Sequence, residues 1–366
     1  MSHKSPFVSV IIPTYNRAEV IMRAINSVLN QTYKDFEMII IDDGSSDNTE
    51  YVVKQIIDSR VRYIKHHKNL NGAIARNTGI DASRGEFIAF LDSDDEWLPR
   101  KLEKQLSILL KCDNKENVLC YSQLIKQTGA IKRTSPKRGI ETSELVEEYL
   151  FLNNGLIQTS TLILHHSLIK KIRFDEQLIR HQDWDLCLRL SRENVDFLFL
   201  NEPLAVWYDE QWLERVSKKN DYKFSLKWIN SYKGEISERA YDAFLEKTVI
   251  PRKTLHETNL KKKTKLKELM KDKKVAIYGA GLTTQSILEE LELEQENIEQ
   301  IVALIDSSPE KQGMRFQGIK VFPPSKILSL VIDVLVISVD KVEVSKGILT
   351  ELKGMDMVVI DLNQYL

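Results

Sequence analysis

Nearly apolar runs of strand length, each leading into a polar loop and then a helical periodicity, constrain this chain more than any other feature. Val8-Ser9-Val10-Ile11-Ile12 reads as a strand closed by Pro13, and Val20, Ile21, Ala24, Ile25, Val28 and Leu29 then recur on one helical face. Phe36 to Ile41 reads as a second strand and Thr49 to Asp58 as a second helix. Val61 to Lys65, Ala73 to Ala82 and Phe87 to Leu91 continue the strand, helix, strand order. Apolar strands alternating with helices need crossover connections, so a mostly parallel α/β sheet is expected. Ligands of such sheets bind outside the carboxyl ends of the strands. The loops that follow strands therefore carry the functional expectation.

The chain has 366 residues, enough for two domains with cores of their own. Its 52 Lys and Arg against 53 Asp and Glu leave a formal charge of −1, which gives no general reason to expect a nucleic-acid partner. No apolar run approaches the ~18 residues of a membrane span, and the N-terminus has no charged segment followed by a long apolar one. A cytoplasmic protein is the expectation. Cys112, Cys120 and Cys187 are odd in number and fit no common zinc spacing, so reduced structural thiols are expected.

Two of the post-strand loops gather aspartates. Phe90-Leu91-Asp92-Ser93-Asp94-Asp95 sets three carboxylates directly after a buried strand. Charges this close repel unless a cation sits among them, and hard oxygen ligands suit Mg²⁺ or Mn²⁺. A turn or helix cap is the plainer reading of the same residues. In Ile41-Asp42-Asp43-Gly44-Ser45-Ser46-Asp47, a carboxylate at the strand end can accept the imide N–H of uracil, and Asp47 can cap the next helix.

Val8 to Arg17, Ile41 to Asp47, Arg76-Asn77-Thr78-Gly79 and Leu91-Asp92-Ser93-Asp94-Asp95 resemble, in order, the successive motifs of family 2 glycosyltransferases. The resemblance covers about residues 6–215 and implies the GT-A nucleotide-diphospho-sugar transferase fold. It implies inverting transfer of a sugar from a nucleoside-diphosphate donor, with a UDP-sugar favoured, to an acceptor hydroxyl. Pro13 and Tyr15 would line the nucleoside pocket, and Asp43, with Asp42 beside it, would bond the base. Arg76 would reach the diphosphate, helped by Arg17. Asp92 and Asp94 form an Asp-X-Asp motif for ribose and Mn²⁺ or Mg²⁺, and Asp95 is an equal candidate for the metal.

Phe174-Asp175-Glu176 followed by His181-Gln182-Asp183-Trp184-Asp185-Leu186 resembles the family's second signature, which makes Asp183 the catalytic base. Gln182 stands where glutamate is usual. Capping of the following helix is the alternative for Asp183, and Asp185 and His181 read as structural. Trp207-Tyr208-Asp209-Glu210-Gln211-Trp212 could stack on sugar rings or fill core, and Arg215 and Ser217 fall where relatives close a segment over the donor.

From Ser217 to Leu269 the pattern is largely helical and ends in a lysine-rich stretch through Lys274. A linker or solvated helix is the first reading, and peripheral contact with an anionic membrane surface the second. A new strand, Val275 to Tyr278, then leads into Gly279-Ala280-Gly281 and a helix to about Leu293. Val302 to Ile305 ends at Asp306, and Val331 to Val339 and Met357 to Ile360 read as further strands. This is the layout of a dinucleotide-binding turn, except that Thr284 takes the place of the third glycine. A small Rossmann-like domain is expected, with Gly279, Gly281 and Asp306 as a candidate second nucleotide site. A structural or homo-oligomerising role is the competing reading.

The expected organisation is thus a GT-A domain over 1–215, a helical linker over 216–272 and a Rossmann-like domain over 273–366. The expected partners are a nucleotide-sugar and a saccharide or lipid-linked saccharide acceptor in bacterial polysaccharide or glycoconjugate synthesis, at the inner face of the cell membrane if the lysines touch lipid. The rival readings are a nucleotide-sugar-binding scaffold without transfer, and a bifunctional enzyme whose C-terminal domain processes a nucleotide.

Overall fold

A computed structural model describes residues 5–209, 222–271, 273–293, 298–339, 342–352 and 358–362. The chain divides into two compact units, Met1–Val249 and Ile250–Leu366.

The first unit opens with β1 (Val8–Thr14), α1 (Ile21–Leu29), β2 (Phe36–Asp42), α2 (Thr49–Lys54), β3 (Val61–Lys65), α3 (Gly72–Ala82) and β4 (Phe87–Phe90). It continues with β5 (Glu96–Trp97), α4 (Lys101–Leu109), β6 (Val118–Thr128), β7 (Ile131–Ser135), β8 (Ile163–His165), α5 (His166–Ile172), α6 (Gln182–Arg192) and β9 (Asp196–Tyr208). Two helices follow, α7 (Tyr222–Ser231) and α8 (Glu238–Phe244). The strands form one sheet in the order β3-β2-β1-β4-β8-β6-β9-β5, with β7 paired to β6.

Strand periodicity sorts the core into two layers. Val8, Val10 and Ile12 of β1, Met38 and Ile40 of β2, and Phe87 and Ala89 of β4 face the layer that holds α1 and α4. Ile11, Ile39, Ile41, Ile88 and Phe90 face the opposite layer with α3, α5, α6, α7 and α8. Both faces are covered, which is why these strands read as continuous apolar runs. Gly79 marks the tightest seam, because a Cβ there would lie 2.4 Å from Ile11 Cγ2.

The mostly parallel sheet holds for β3-β2-β1-β4, whose pairs are all parallel. Beyond β4 the sheet is mixed: β8 runs antiparallel to β4 and β6, while β6 and β9 are parallel. The three cysteines are free thiols, Cys120 and Cys187 buried and Cys112 half-buried.

The second unit begins with α9 (Ile250–Met270), which carries most of the lysine-rich stretch, and Leu266, Leu269 and Met270 of α9 pack on the second sheet. Residues 216–272, expected as one helical linker, are thus shared between the two units. The rest comprises β10 (Val275–Tyr278), α10 (Leu282–Leu293), β11 (Ile301–Ile305), β12 (Arg315–Phe316), β13 (Ile319–Phe322), β14 (Val334–Ile337), α11 (Val342–Glu351) and β15 (Val358–Asp361). Apart from the short β12, its sheet is parallel in the order β13-β11-β10-β14-β15. No described helix is long and apolar enough to cross a membrane.

Candidate active site

β1, β2 and β4 end side by side, with Thr14 in register with Asp42 and Leu91 N donating to Ile11 O at 3.0 Å. The post-strand loops therefore share one rim of the sheet. They are stitched together there: Asn16, at φ 49°, accepts from Ser46 N through its side chain, and its own N–H donates to Ser45 Oγ. Gly44, at φ 79°, lets this loop lie on the backbone of Lys68, where a Cβ would come within 2.5 Å.

Asp42 and Asp43 are both buried. Asp42 accepts from Ser45 N at 2.8 Å and from the Tyr63 hydroxyl. Asp43 pairs with His66 Nδ1 at 2.7 Å and accepts from Leu70 N and Asn71 N, so it clamps the loop that enters α3. A base reaching Asp43 would share its oxygens with these groups. Asp47 receives N–H bonds from Thr49 and Ala18, but the N-cap position of α2 is Asn48, not Asp47 as expected. Tyr15 stands 42% exposed at the rim, whereas Pro13 is buried within β1. Arg17 Nη1 donates to the carbonyl of Asn16 at 3.0 Å.

The second aspartate loop is divided in its roles. Asp95 is 1% exposed, and its Oδ2 accepts from Ser160 Oγ at 2.7 Å and Gln158 Nε2 at 3.0 Å. Gln158 Nε2 also reaches Asp92 Oδ2 at 3.2 Å, and Ser160 Oγ accepts from Asp92 N at 3.0 Å. Trp97 Nε1 holds the Ser160 carbonyl at 2.7 Å. Asp94 is half-buried, and its carbonyl accepts from Arg23 at 2.6 Å. The described residues contain no cluster of three or more His, Cys, Asp or Glu side chains arranged to hold a metal ion. Asp92 and Asp94 offer hard oxygens, a set that suits Mg²⁺ or Mn²⁺ when phosphate oxygens and waters complete it.

Arg76 joins this loop to α6. From within α3 its Nη2 donates to Asp92 Oδ1 at 2.5 Å and its Nη1 to Gln182 Oε1 at 2.6 Å. Its Nε is buried without a hydrogen-bond partner. Gln182 is fixed in turn by donating to Leu178 O at 2.6 Å. Asn77, next to Arg76, donates to Phe174 O and Glu176 Oε1 and accepts from Phe174 N, which pins the segment leading to α6.

Asp183 lies in the first turn of α6, after His181 at φ 62°. Its Oδ1 accepts from Trp184 N at 2.9 Å, a local bond within the turn. Burial pushes its carboxyl up to about 6, and the Asp92 charge adds to the rise while Trp184 N–H and Arg76 oppose it. A carboxyl in this range can take a proton near neutral pH. Asp185 is structural, as expected: it accepts from Tyr232 and binds Arg189. His181 stacks on Trp184 at 4.9 Å and bonds Ser225.

Trp207 lies under Lys126 and Tyr208 under Arg23, each in cation–π contact. Trp212, Arg215 and Ser217 lie outside the described residues. Sequence reasoning missed Gln158, Ser160 and His66. The only signal for the first two was a polar Gln158-Thr159-Ser160-Thr161 run ahead of the apolar Leu162-Ile163-Leu164.

In the second unit, Gly279 at φ 107° brings its turn against Ser338, and Thr284 Oγ1 bonds Gly279 O. The Ala280 N–H that a phosphate would take already donates to Asp306 Oδ2 at 2.9 Å. Burial disfavours the Asp306 charge, but Ser308 N, Ala280 N and Lys311 hold its carboxyl below the usual range.

The fold is an α/β fold with a carboxylate–guanidinium cluster at its strand ends. The family model of glycosyl transferase family 2 matches residues 9–174, and a C2185-like, N-terminal model matches 271–357. The chain is 35% identical to the amylovoran biosynthesis glycosyltransferase AmsB of Erwinia amylovora, over 63% of this chain and 79% of that protein. It is 34% identical to WfgD of Escherichia coli, a UDP-Glc:alpha-D-GlcNAc-diphosphoundecaprenol beta-1,3-glucosyltransferase, over 51% of this chain and 70% of that one. The structure of S. aureus TarS residues 1–349 with UDP-GlcNAc aligns with a TM-score of 0.50 at 20% identity, over 66% of this chain and 73% of that chain, a likeness of fold. The chain belongs to glycosyl transferase family 2 and is a glycosyltransferase.

Proposed function

We propose that the enzyme transfers a sugar, with inversion, from a UDP-sugar to a hydroxyl of a saccharide acceptor in bacterial polysaccharide or lipid-linked saccharide synthesis. The observation that carries the proposal is the placement of Asp183, a carboxyl raised to about 6, beside the Arg76–Asp92 pair. The AmsB name places that relative in polysaccharide synthesis, and the WfgD name gives that relative a UDP-sugar donor and a diphosphate-linked lipid acceptor. A lipid-linked acceptor would bring this enzyme to the inner face of the membrane.

Asp183 accepts the acceptor proton as the acceptor oxygen bonds to the anomeric carbon. The bond from that carbon to the diphosphate breaks, and the diphosphate leaves with the electron pair. One in-line displacement inverts the anomeric centre. Arg76 pairs with the departing charge, and the exposed Tyr15 offers a face for the base. Asp94, with Asp92 beside it, would hold Mn²⁺ or Mg²⁺, which neutralises diphosphate charge when bound.

Calorimetric titration of UDP, dTDP and GDP, each with and without Mn²⁺, tests the donor, and the anomeric configuration of the product tests inversion. Metal-dependent UDP binding and an inverted product are expected. Binding without transfer to any acceptor would favour a nucleotide-sugar-binding scaffold. Absence of nucleotide binding would overturn the mechanism.

A further inference from the structure

The hairpin of β6 and β7 leaves the sheet at the rim that carries the site. β6 is antiparallel to β8 and β8 to β4, so β6 runs in the sense of β4, whose end leads into Asp92. Gln127, near the end of β6, is in register with Tyr208 of β9. Tyr208 lies under Arg23, and Arg23 donates to the Asp94 carbonyl. The hairpin turn at Gly129, φ 57°, therefore lies just beyond the level of the second aspartate loop. A Cβ on Gly129 would meet no described atom within 4 Å, so the tip stands clear.

Leu124 to Arg138 contains Lys126, Lys132, Arg133, Lys137 and Arg138, with no Asp, no Glu and no aromatic residue. Arg133 stands directly opposite Lys126, and like charges facing across two strands repel. Asp209 at 3.4 Å and the Trp207 ring offset Lys126, and Glu144 offsets Arg138. Lys132, Arg133 and Lys137 are exposed and make no ion pair or side-chain hydrogen bond among the described residues. Beside them Ile131, next to the turn, is 58% exposed. Unpaired cations around an exposed isoleucine complement a surface that is anionic outside and apolar just beneath, as a bilayer of acidic phospholipids is. A single-stranded nucleic acid would be met by aromatic faces, which this hairpin lacks. Lys262 and Lys263 of α9, within the stretch that the sequence offers for lipid contact, are instead buried.

We propose that the β6–β7 hairpin is a membrane-docking element. Lys132, Arg133 and Lys137 bind the head groups of acidic phospholipids and Ile131 enters the interface, which holds the site rim against the bilayer. The inference extends the lipid-linked acceptor reading above, and its test uses neither donor nor acceptor.

The test is sedimentation of the full chain with vesicles of phosphatidylcholine alone and of phosphatidylcholine mixed with phosphatidylglycerol, at low and at high salt. The proteins compared are wild type, Lys132→Gln/Arg133→Gln, Ile131→Ser and, in the lysine-rich stretch of the second unit, Lys261→Gln/Lys271→Gln. Thermal unfolding confirms that each variant is folded. Wild type should bind the phosphatidylglycerol vesicles only, and high salt should release it. Lys132→Gln/Arg133→Gln should bind on the order of ten- to thirtyfold more weakly, and Ile131→Ser should also weaken binding. Lys261→Gln/Lys271→Gln should bind as wild type. Equal binding by wild type and Lys132→Gln/Arg133→Gln, or a loss confined to Lys261→Gln/Lys271→Gln, overturns the inference. A wild type that binds no vesicle also overturns it, and leaves the cations as guards of an edge strand; so does one that binds a single-stranded RNA and no vesicle. UDP titration into Lys132→Gln/Arg133→Gln keeps the donor reading separate, since wild-type affinity for UDP is expected there whatever the vesicles show.

Discussion

Ser160 Oγ donates to Asp95 Oδ2 at 2.7 Å, with both side chains buried. This contact engages Asp95, and the reading proposed above keeps Asp94 as the metal ligand. Asp95 faces inward and braces Ser160 and Gln158, which in turn hold Asp92. Asp94→Ala should therefore abolish metal-dependent UDP binding with little change in stability. Asp95→Ala should lower stability by about 1–3 kcal/mol, because it strands buried donors. Denaturant unfolding paired with UDP titration separates the two outcomes.

The raised carboxyl of Asp183 predicts a pH limb. Transfer should fall as pH drops through about 6, where the base becomes protonated. The stability effect has the opposite sense. The folded group binds a proton that the unfolded chain has released, so its contribution to stability declines as pH rises from about 4 to about 6. Asp183→Asn should therefore stabilise the protein at pH 7, by up to about 3 kcal/mol, and melting curves against pH would show it.

Lys101 is fully buried, with Trp97 4.2 Å from its Nζ and Gln105 Oε1 at 2.6 Å. Burial lowers its ammonium to about 7. The unfolded chain then holds more protons between about 7 and 10, so this group's contribution makes stability rise with pH across that window. Lys101→Met should be about 1–4 kcal/mol more stable at pH 7 and flatten that rise.

Gly79→Ala should destabilise by about 1–3 kcal/mol, since its Cβ would meet Ile11 Cγ2 at 2.4 Å. Ile11→Ala in the same chain should recover part of the loss. Additive losses would contradict the contact.

The parallel half of the sheet was legible because β1, β2 and β4 are buried on both faces and carry little but apolar side chains. β6 and β9 were not legible as strands. β9 is half-buried along much of its length, with Glu202 and Pro203 interrupting it, and its pairing with β6 bulges at Ser122 to Leu124. The resemblance pointed to Asp92, Arg76 and Asp183, which lie close together in the fold. It could not find Gln158 or Ser160, since an amide and a hydroxyl act there only through carboxylates distant in sequence. Nor could spacing reveal that Asp42 and Asp43 are engaged by Tyr63 and His66, because that depends on where β3 ends.

The central claim is that Asp183 takes the acceptor proton. Its most direct test is the transfer rate of Asp183→Asn with a UDP-sugar and acceptor that the wild type uses, alongside UDP binding by the same variant. The expected result is UDP binding within a few-fold of wild type and a transfer rate lower by roughly 10²–10⁴. A variant that transfers at the wild-type rate would contradict the assignment.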